Sequence, residues 1–232
     1  MDESEFDRFA DEYRTLHASN IRASGEAPEF FAEYKVSDVA KAIQPMGSTQ
    51  SIRILDFGSG IGSSLPYFRR YFPAARVTCL DVSKRSLALG RVRFGADADF
   101  VHFDGRTIPY DSGHFDVAFA ACVFHHIPQT MHAHLLSEML RVLRRPGHLF
   151  VFEHNPRNPL TVRAVAECPF DENAELIPAT VLARRLQDIS NCDVNVRYRI
   201  FFPGFARAFR PLERYLTWCP LGAQYYVHVK RT

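Results

Sequence analysis

Between Ile54 and Ser63 the chain runs as an apolar strand, Ile54-Leu55-Asp56-Phe57, directly into Gly58-Ser59-Gly60-Ile61-Gly62-Ser63. No other stretch limits the fold as much. Glycines at that junction let the backbone turn sharply and approach a ligand closely, and a strand, a glycine loop and a helix form the opening unit of a nucleotide-binding α/β sheet. A dinucleotide fingerprint, G-x-G-x-x-G, would need a third glycine where this chain has Ser63. The order is instead G-x-G-x-G, and Asp56 sets a carboxylate where a pyrophosphate would lie. A carboxylate repels phosphate and attracts an ammonium group, so the loop suits a cationic amino-acid ligand.

The rest of the chain repeats the same alternation. Apolar runs at Ile52 to Phe57, Arg76 to Leu80, Asp99 to Phe103, Phe115 to Ala121 and His148 to Glu153 mostly lack polar alternation, as strands buried on both faces of a parallel sheet do. Between them, Ile61, Leu65, Phe68 and Phe72 form one helical stripe and Leu136, Met139, Leu140 and Leu143 another. The second is expected to end through Arg141, Arg144 and Arg145 at Pro146-Gly147. This predicts a doubly wound, Rossmann-like α/β sheet.

At 232 residues and 47% hydrophobic content, one domain over residues 1–232 is expected. Two N-terminal helices are predicted within residues 1–47, carrying Phe6, Phe9, Tyr13 and Leu16, then Phe30, Phe31, Tyr34, Val39 and Ile43. After the fifth strand, residues 154–180 hold Pro156, Pro159, Pro169 and Pro178 and read as a cap. A helix from Thr180 to Ile189, a strand from Asp193 to Phe201, a second covering element over residues 203–220 and a final strand from Tyr225 to Val229 follow.

Two further acids fall at strand ends. Asp81 lies roughly 25 residues past the glycine loop's acid, where such sheets place a carboxylate on ribose hydroxyls. Asp104 follows the next strand and can accept a hydrogen bond from an adenine amino group. A lone aspartate after a strand is as easily a turn or cap residue. Three in succession beyond a glycine loop describe one crevice.

On these residues the chain resembles the class I S-adenosylmethionine-dependent methyltransferases. ILDFGSGIGSS looks like the family's first motif, CLDVS its second strand end, FDVAFAACVFHHIP its fourth strand, and EMLRVLRRPG the helix and turn before the fifth. The resemblance implies a mostly parallel sheet of seven strands with the last antiparallel, and S-adenosyl-L-methionine as cofactor. It places the amino-acid part against Asp56, Gly58, Ser59, Gly60 and Gly62, the ribose at Asp81 and Val82, the adenine at Asp104 and Gly105, and Ala121 and Cys122 beside the ligand. HNPRNPLTVRAV, CPFDENAELI and PLGAQYYV are also similar to small-molecule methyltransferases associated with bacterial glycan or lipid modification.

Methyl transfer needs an acceptor in line with the sulfonium, and a base only where the acceptor must lose a proton. His126 and His154, at the ends of the fourth and fifth strands, are the candidate catalytic bases; each could equally be bonded to backbone. His125 is expected to pack. His125, His126, His132 and His134 match no metal-ligand spacing, so no metal is expected. Tyr13, Tyr34 and Lys35 are candidate contacts to the acceptor, and Arg157 and Arg163 in the cap point to an anionic acceptor such as a nucleotide sugar or a phospholipid-like group. The expected reaction is O-methylation of a sugar, glycolipid or other metabolite. A quinone or lipid C-methyltransferase, a non-catalytic adenosylmethionine-binding partner subunit and a nicotinamide oxidoreductase are the alternatives.

A formal charge of +2 gives no electrostatic case for nucleic acid. No apolar run reaches the roughly 18 residues of a membrane span, and the acidic start Met1-Asp2-Glu3 does not read as a secretory signal. Cys79, Cys122, Cys168, Cys192 and Cys219 form no C-x-x-C pair and are expected as reduced thiols in a cytoplasmic monomer or homodimer.

Overall fold

A computed structural model describes residues 26–43, 51–190 and 192–231. The helix predicted around Phe6 to Leu16, with Tyr13, lies outside the described residues.

Helix α1 (Pro28–Ile43) precedes β1 (Arg53–Phe57), α2 (Leu65–Tyr71), β2 (Arg76–Asp81), α3 (Lys84–Phe94), β3 (Asp99–His102) and β4 (Phe115–Ala121). Then come α4 (Gln129–Val142), β5 (Leu143–His154), α5 (Pro159–Ala166), α6 (Ala179–Ser190), β6 (Val194–Arg199) and β7 (Gln224–Arg231). The seven strands form one sheet in the order β3-β2-β1-β4-β5-β7-β6. Pairing is parallel from β3 through β5, and β7 runs antiparallel to both β5 and β6.

Alternate residues of the central strands feed two cores. Leu55, Phe57, Leu80, Ala118, Leu149 and Val151 face α4 and α6, meeting Leu136, Met139, Leu182 and Leu186. Ile54, Val77, Val117, Phe119, Phe150 and Phe152 face the other way, onto Val36 and Val39 of α1, Leu65 and Phe68 of α2 and Leu87 of α3. With both faces covered, near-continuous apolar strands are what burial demands.

Two local expectations shift, and one helix start appears that the sequence patterns did not give. Ile61 lies in the turn before α2, which begins at Leu65. Helix α3 carries its own serine cap: Ser83 accepts a hydrogen bond from Ser86 N, a start signal the apolar stripes do not reveal. Helix α4 ends at Val142, so Arg144 and Arg145 belong to β5. Leu143, fully buried and paired with Phe115, draws the chain into the sheet early, and Arg144 pairs with Asp116 at 2.5 Å.

Connections on the β1-β2-β3 side step one way and those on the β4-β5 side the other. The reversal between β1 and β4 opens a crevice at their carboxyl ends, where ligands of doubly wound sheets bind.

Candidate active site

That crevice holds a cavity of about 790 Å³, within the roughly 300–1,000 Å³ range of small-molecule sites. One wall is the glycine loop with Asp56 and Asp81. The other is built from Cys122, His125, His126 and His154 at the ends of β4 and β5, roofed by α1 and α5.

The loop is fixed by its neighbours. Gly58 N and Ser59 N donate to Leu80 O at 2.8 and 3.2 Å, while Asp81 Oδ2 accepts from Gly60 N at 2.7 Å and Oδ1 from Ser83 N at 2.9 Å. Gly58 has φ +68°, and a Cβ there would stand 2.6 Å from Val123; only glycine fits. Asp56 is 2% exposed, and its Oδ2 has no hydrogen-bond partner among the described residues. Burial, with the Asp81 carboxylate second, pushes its pKa up to about 8. An orphaned buried carboxylate lining a cavity fits a cationic ligand group, as the ammonium of an amino acid would supply.

The opposite wall is a polar cluster. Glu153, fully buried, accepts from Val123 N at 3.1 Å, Phe124 N at 2.7 Å and His125 Nδ1 at 2.6 Å. Asp171, from a 3-10 turn at Pro169–Asp171 in the cap, approaches His125 Nε2 at 3.5 Å and His126 Nε2 at 3.3 Å. Burial opposes charge on His125, yet Glu153 and Asp171 together raise its pKa to about 10. Burial, with His125 second, lowers His154 to about 4, and burial lowers His126. Charge is thus favoured on His125, between two carboxylates, and disfavoured by burial on His126 and His154 beside it. Gln224 organises the floor: Tyr34 Oη donates to its Oε1, and its Nε2 lies 3.3 Å from His154 Nδ1 and 3.7 Å from Cys122 Sγ. Among the described residues Nε2 of His154 makes no hydrogen bond, which leaves it able to meet a ligand.

Of the sequence candidates, Asp56, Gly58, Ser59, Gly60, Asp81, Ala121, Cys122, Lys35, His126, His154 and Arg163 line the cavity. Gly62 lies behind the loop, where a Cβ would meet Leu65 and Phe94. Asp104 is exposed and off the cavity; its carboxylate accepts from Arg106 N and Thr107 N, both at 2.8 Å, closing a turn that begins with Gly105. Val82 is buried in the core, and Tyr34 is spent on Gln224. Neither cap arginine forms the expected clamp: Arg157 is exposed and away from the cavity wall, and Arg163 pairs with Glu167 at 2.7 Å. His132 and His134 turn away to Ile127 O and Arg106 O. His125 is buried, as expected, and also lines the cavity.

Sequence reasoning missed Asp171, Glu153 as the anchor of His125, and Gln224. The available signals were a glutamate inside an otherwise apolar strand and an aspartate just past Pro169 in the irregular cap.

Residues 55–151 match the family model described as a methyltransferase domain. The chain is 32% identical over 110 residues to phthiotriol/phenolphthiotriol dimycocerosates methyltransferase of Mycobacterium leprae, covering 46% of this chain and 39% of that protein. To demethylmenaquinone methyltransferase of Thermotoga maritima it is 27% identical over 153 residues, 66% of this chain and 61% of that one. The chain therefore spans less than two thirds of the length of these curated relatives. Among solved structures, the plantazolicin methyltransferase BpumL in complex with SAH superposes with a TM-score of 0.69 at 16% identity, over 99% of this chain and 96% of that one. A S-adenosylmethionine-dependent methyltransferase from Thermotoga maritima gives 0.67 at 16% identity, over 99% of both chains. At such identity these two likenesses establish the fold.

Proposed function

We propose that the protein is an active methyltransferase that transfers a methyl group from S-adenosylmethionine to an oxygen of a small molecule. What carries the reading is a single cavity with the glycine loop, the orphaned Asp56 carboxylate and Asp81 on one wall and two neutral histidines on the other. Bound there, S-adenosylmethionine would supply an electrophilic methyl on a positively charged sulfur.

The chain's part is placement and proton handling. Asp56 receives the ammonium, Asp81 the ribose hydroxyls, and α1 and α5 exclude water from above. His126 and His154, kept neutral by burial, are the groups able to take a proton from an acceptor hydroxyl. Carbon methylation of a quinone or lipid is the second reading. It is favoured by the relatives named for such substrates and by the cap surface: seven of the ten large hydrophobic side chains exposed among the described residues belong to it, including Leu160, Phe205, Phe209 and Trp218. The free cysteines suit a cytoplasmic setting, and no described helix is long and apolar enough to cross a membrane.

His154→Ala should lower turnover by about 10²-fold or more, the usual scale of a lost general base, while affinity for S-adenosylhomocysteine stays unchanged. Initial rates across hydroxylated sugars, lipids and quinones, with calorimetry of the same variant, check this. A fully active variant rules out the general-base role of His154 and leaves His126 as the base or a carbon acceptor.

A further inference from the structure

Beyond the glycine loop, metal-ligating atoms converge at one place among the described residues. One oxygen, Asp171 Oδ1, lies 3.5 Å from His125 Nε2 and 3.3 Å from His126 Nε2, and one ligating atom of each residue falls within 4.8 Å of the others. We infer that His125, His126 and Asp171 bind one divalent transition-metal ion, Zn²⁺ by its donor set, with a fourth position open to the cavity.

Spacing is the first argument. A charge-assisted N–H···O bond closes to about 2.7–2.9 Å, and both contacts to Asp171 are longer. Two ligand atoms each about 2.0–2.1 Å from a tetrahedral centre stand about 3.4 Å apart, which is the separation found between Asp171 Oδ1 and each of the two histidine nitrogens. The second argument is orientation. Glu153 holds Nδ1 of His125 at 2.6 Å and is itself anchored by two backbone N–H groups, so Nε2 is aimed at Asp171 in the carboxylate–histidine–metal arrangement that metal sites use. Donor type is the third: two imidazole nitrogens and one carboxylate oxygen, converging at one point, are a ligand set that zinc takes. Cys122, the buried Lys35 and His154, whose ring lies 5.2 Å from that of His125, are the other titratable neighbours.

All three residues line the cavity, and three protein ligands with one open position is the pattern of a catalytic zinc rather than a structural one. The ligand class for that position is a hydroxyl or carboxylate oxygen of the acceptor. On this assignment His126 holds the ion and His154 alone remains to take the acceptor's proton. The site stands or falls independently of methyl transfer, because its test reads the ion.

The full chain, stripped with a chelator, is titrated with ZnCl₂ by calorimetry and with CoCl₂ by visible absorption. Expected are one Zn²⁺ per chain and the intense visible bands of tetrahedral Co²⁺. Asp171→Asn and His126→Gln should each weaken binding by about tenfold or more, and Glu153→Gln, which removes only the positioning contact, by about 10–100-fold. His134→Ala should change nothing. Affinity for S-adenosylhomocysteine, measured on the same samples, reports that the variants are folded. Absence of Zn²⁺ binding or of the tetrahedral spectrum in the unaltered chain overturns the inference, and so does binding undiminished in both ligand variants. Zn²⁺ bound as expected by a chain that ignores S-adenosylhomocysteine would sink the methyltransferase reading alone.

Discussion

Asp81 occupies both its oxygens with backbone N–H groups, Gly60 on one side and Ser83 on the other. It thereby ties the loop to β2 and presents a carboxylate at the cavity edge. Asp81→Ala should weaken S-adenosylhomocysteine binding by about 10- to 100-fold, the scale of a lost hydrogen bond to a charged group at about 1.5–3 kcal/mol. Calorimetry checks it, and unchanged affinity removes the ribose assignment. Asp56 and Asp81 are legible in the sequence because residue type and offset from the glycines together define their chemistry. Asp171 is not, because nothing periodic in the proline-rich cap says which way its side chain turns. Asp104 is a middle case, with the offset of an adenine contact and, in the structure, the geometry of a turn residue. Arg157 and Arg163 divide for a similar reason, Arg163 lining the cavity and Arg157 not: charge in a cap can be counted from sequence, but its direction cannot.

At the scale of elements, the glycine loop and the β5–β7 seam carry separate predictions. Gly58→Ala meets Val123 at 2.6 Å and keeps a left-handed φ of +68°. Strain of about 1–2 kcal/mol plus the clash should lower stability by at least about 2 kcal/mol and abolish measurable cofactor binding. Urea denaturation and calorimetry together test this, and a variant as stable as the parent would mean the loop is not held as described. Along the seam, His228 stacks on Phe150 at 4.2 Å and meets His148 at 2.9 Å. Burial, then His148, Arg197 and Lys230, lower the His228 pKa from 6.5 to about 4. The unfolded chain therefore binds the proton first, and stability falls as pH drops from 6.5 towards 4, by at most about 1.4 kcal/mol per unit from this residue. His126, His132, His148 and His154 are shifted the same way. His125, raised to about 10, acts oppositely, and its contribution is lost between pH 6.5 and 10. His228→Phe should keep the stack and flatten the acid limb of the urea midpoint against pH; an unaltered slope would contradict the assignment. The early end of α4 shows what an apolar stripe cannot reveal. Leu143 continues the helical spacing yet pairs with Phe115 in the sheet, because either environment buries it equally well.

For the whole molecule, the doubly wound sheet was readable because central strands buried on both faces leave an unbroken apolar signature, and only one class of architecture covers both faces. Strand order was less so: the reversal between β1 and β4 that opens the cavity is a matter of which way each crossover steps, which local pattern does not encode. The loop's departure from a dinucleotide fingerprint at Ser63 and its orphaned Asp56 make opposite predictions for two cofactor classes. Calorimetric titration of the purified chain with S-adenosylmethionine, S-adenosylhomocysteine and NADH in turn tests that difference without knowledge of the acceptor. Binding of both adenosyl ligands in the micromolar range, about −8 kcal/mol, and none of NADH is expected. Binding of NADH with neither adenosyl ligand would contradict the methyltransferase reading and put an oxidoreductase in its place.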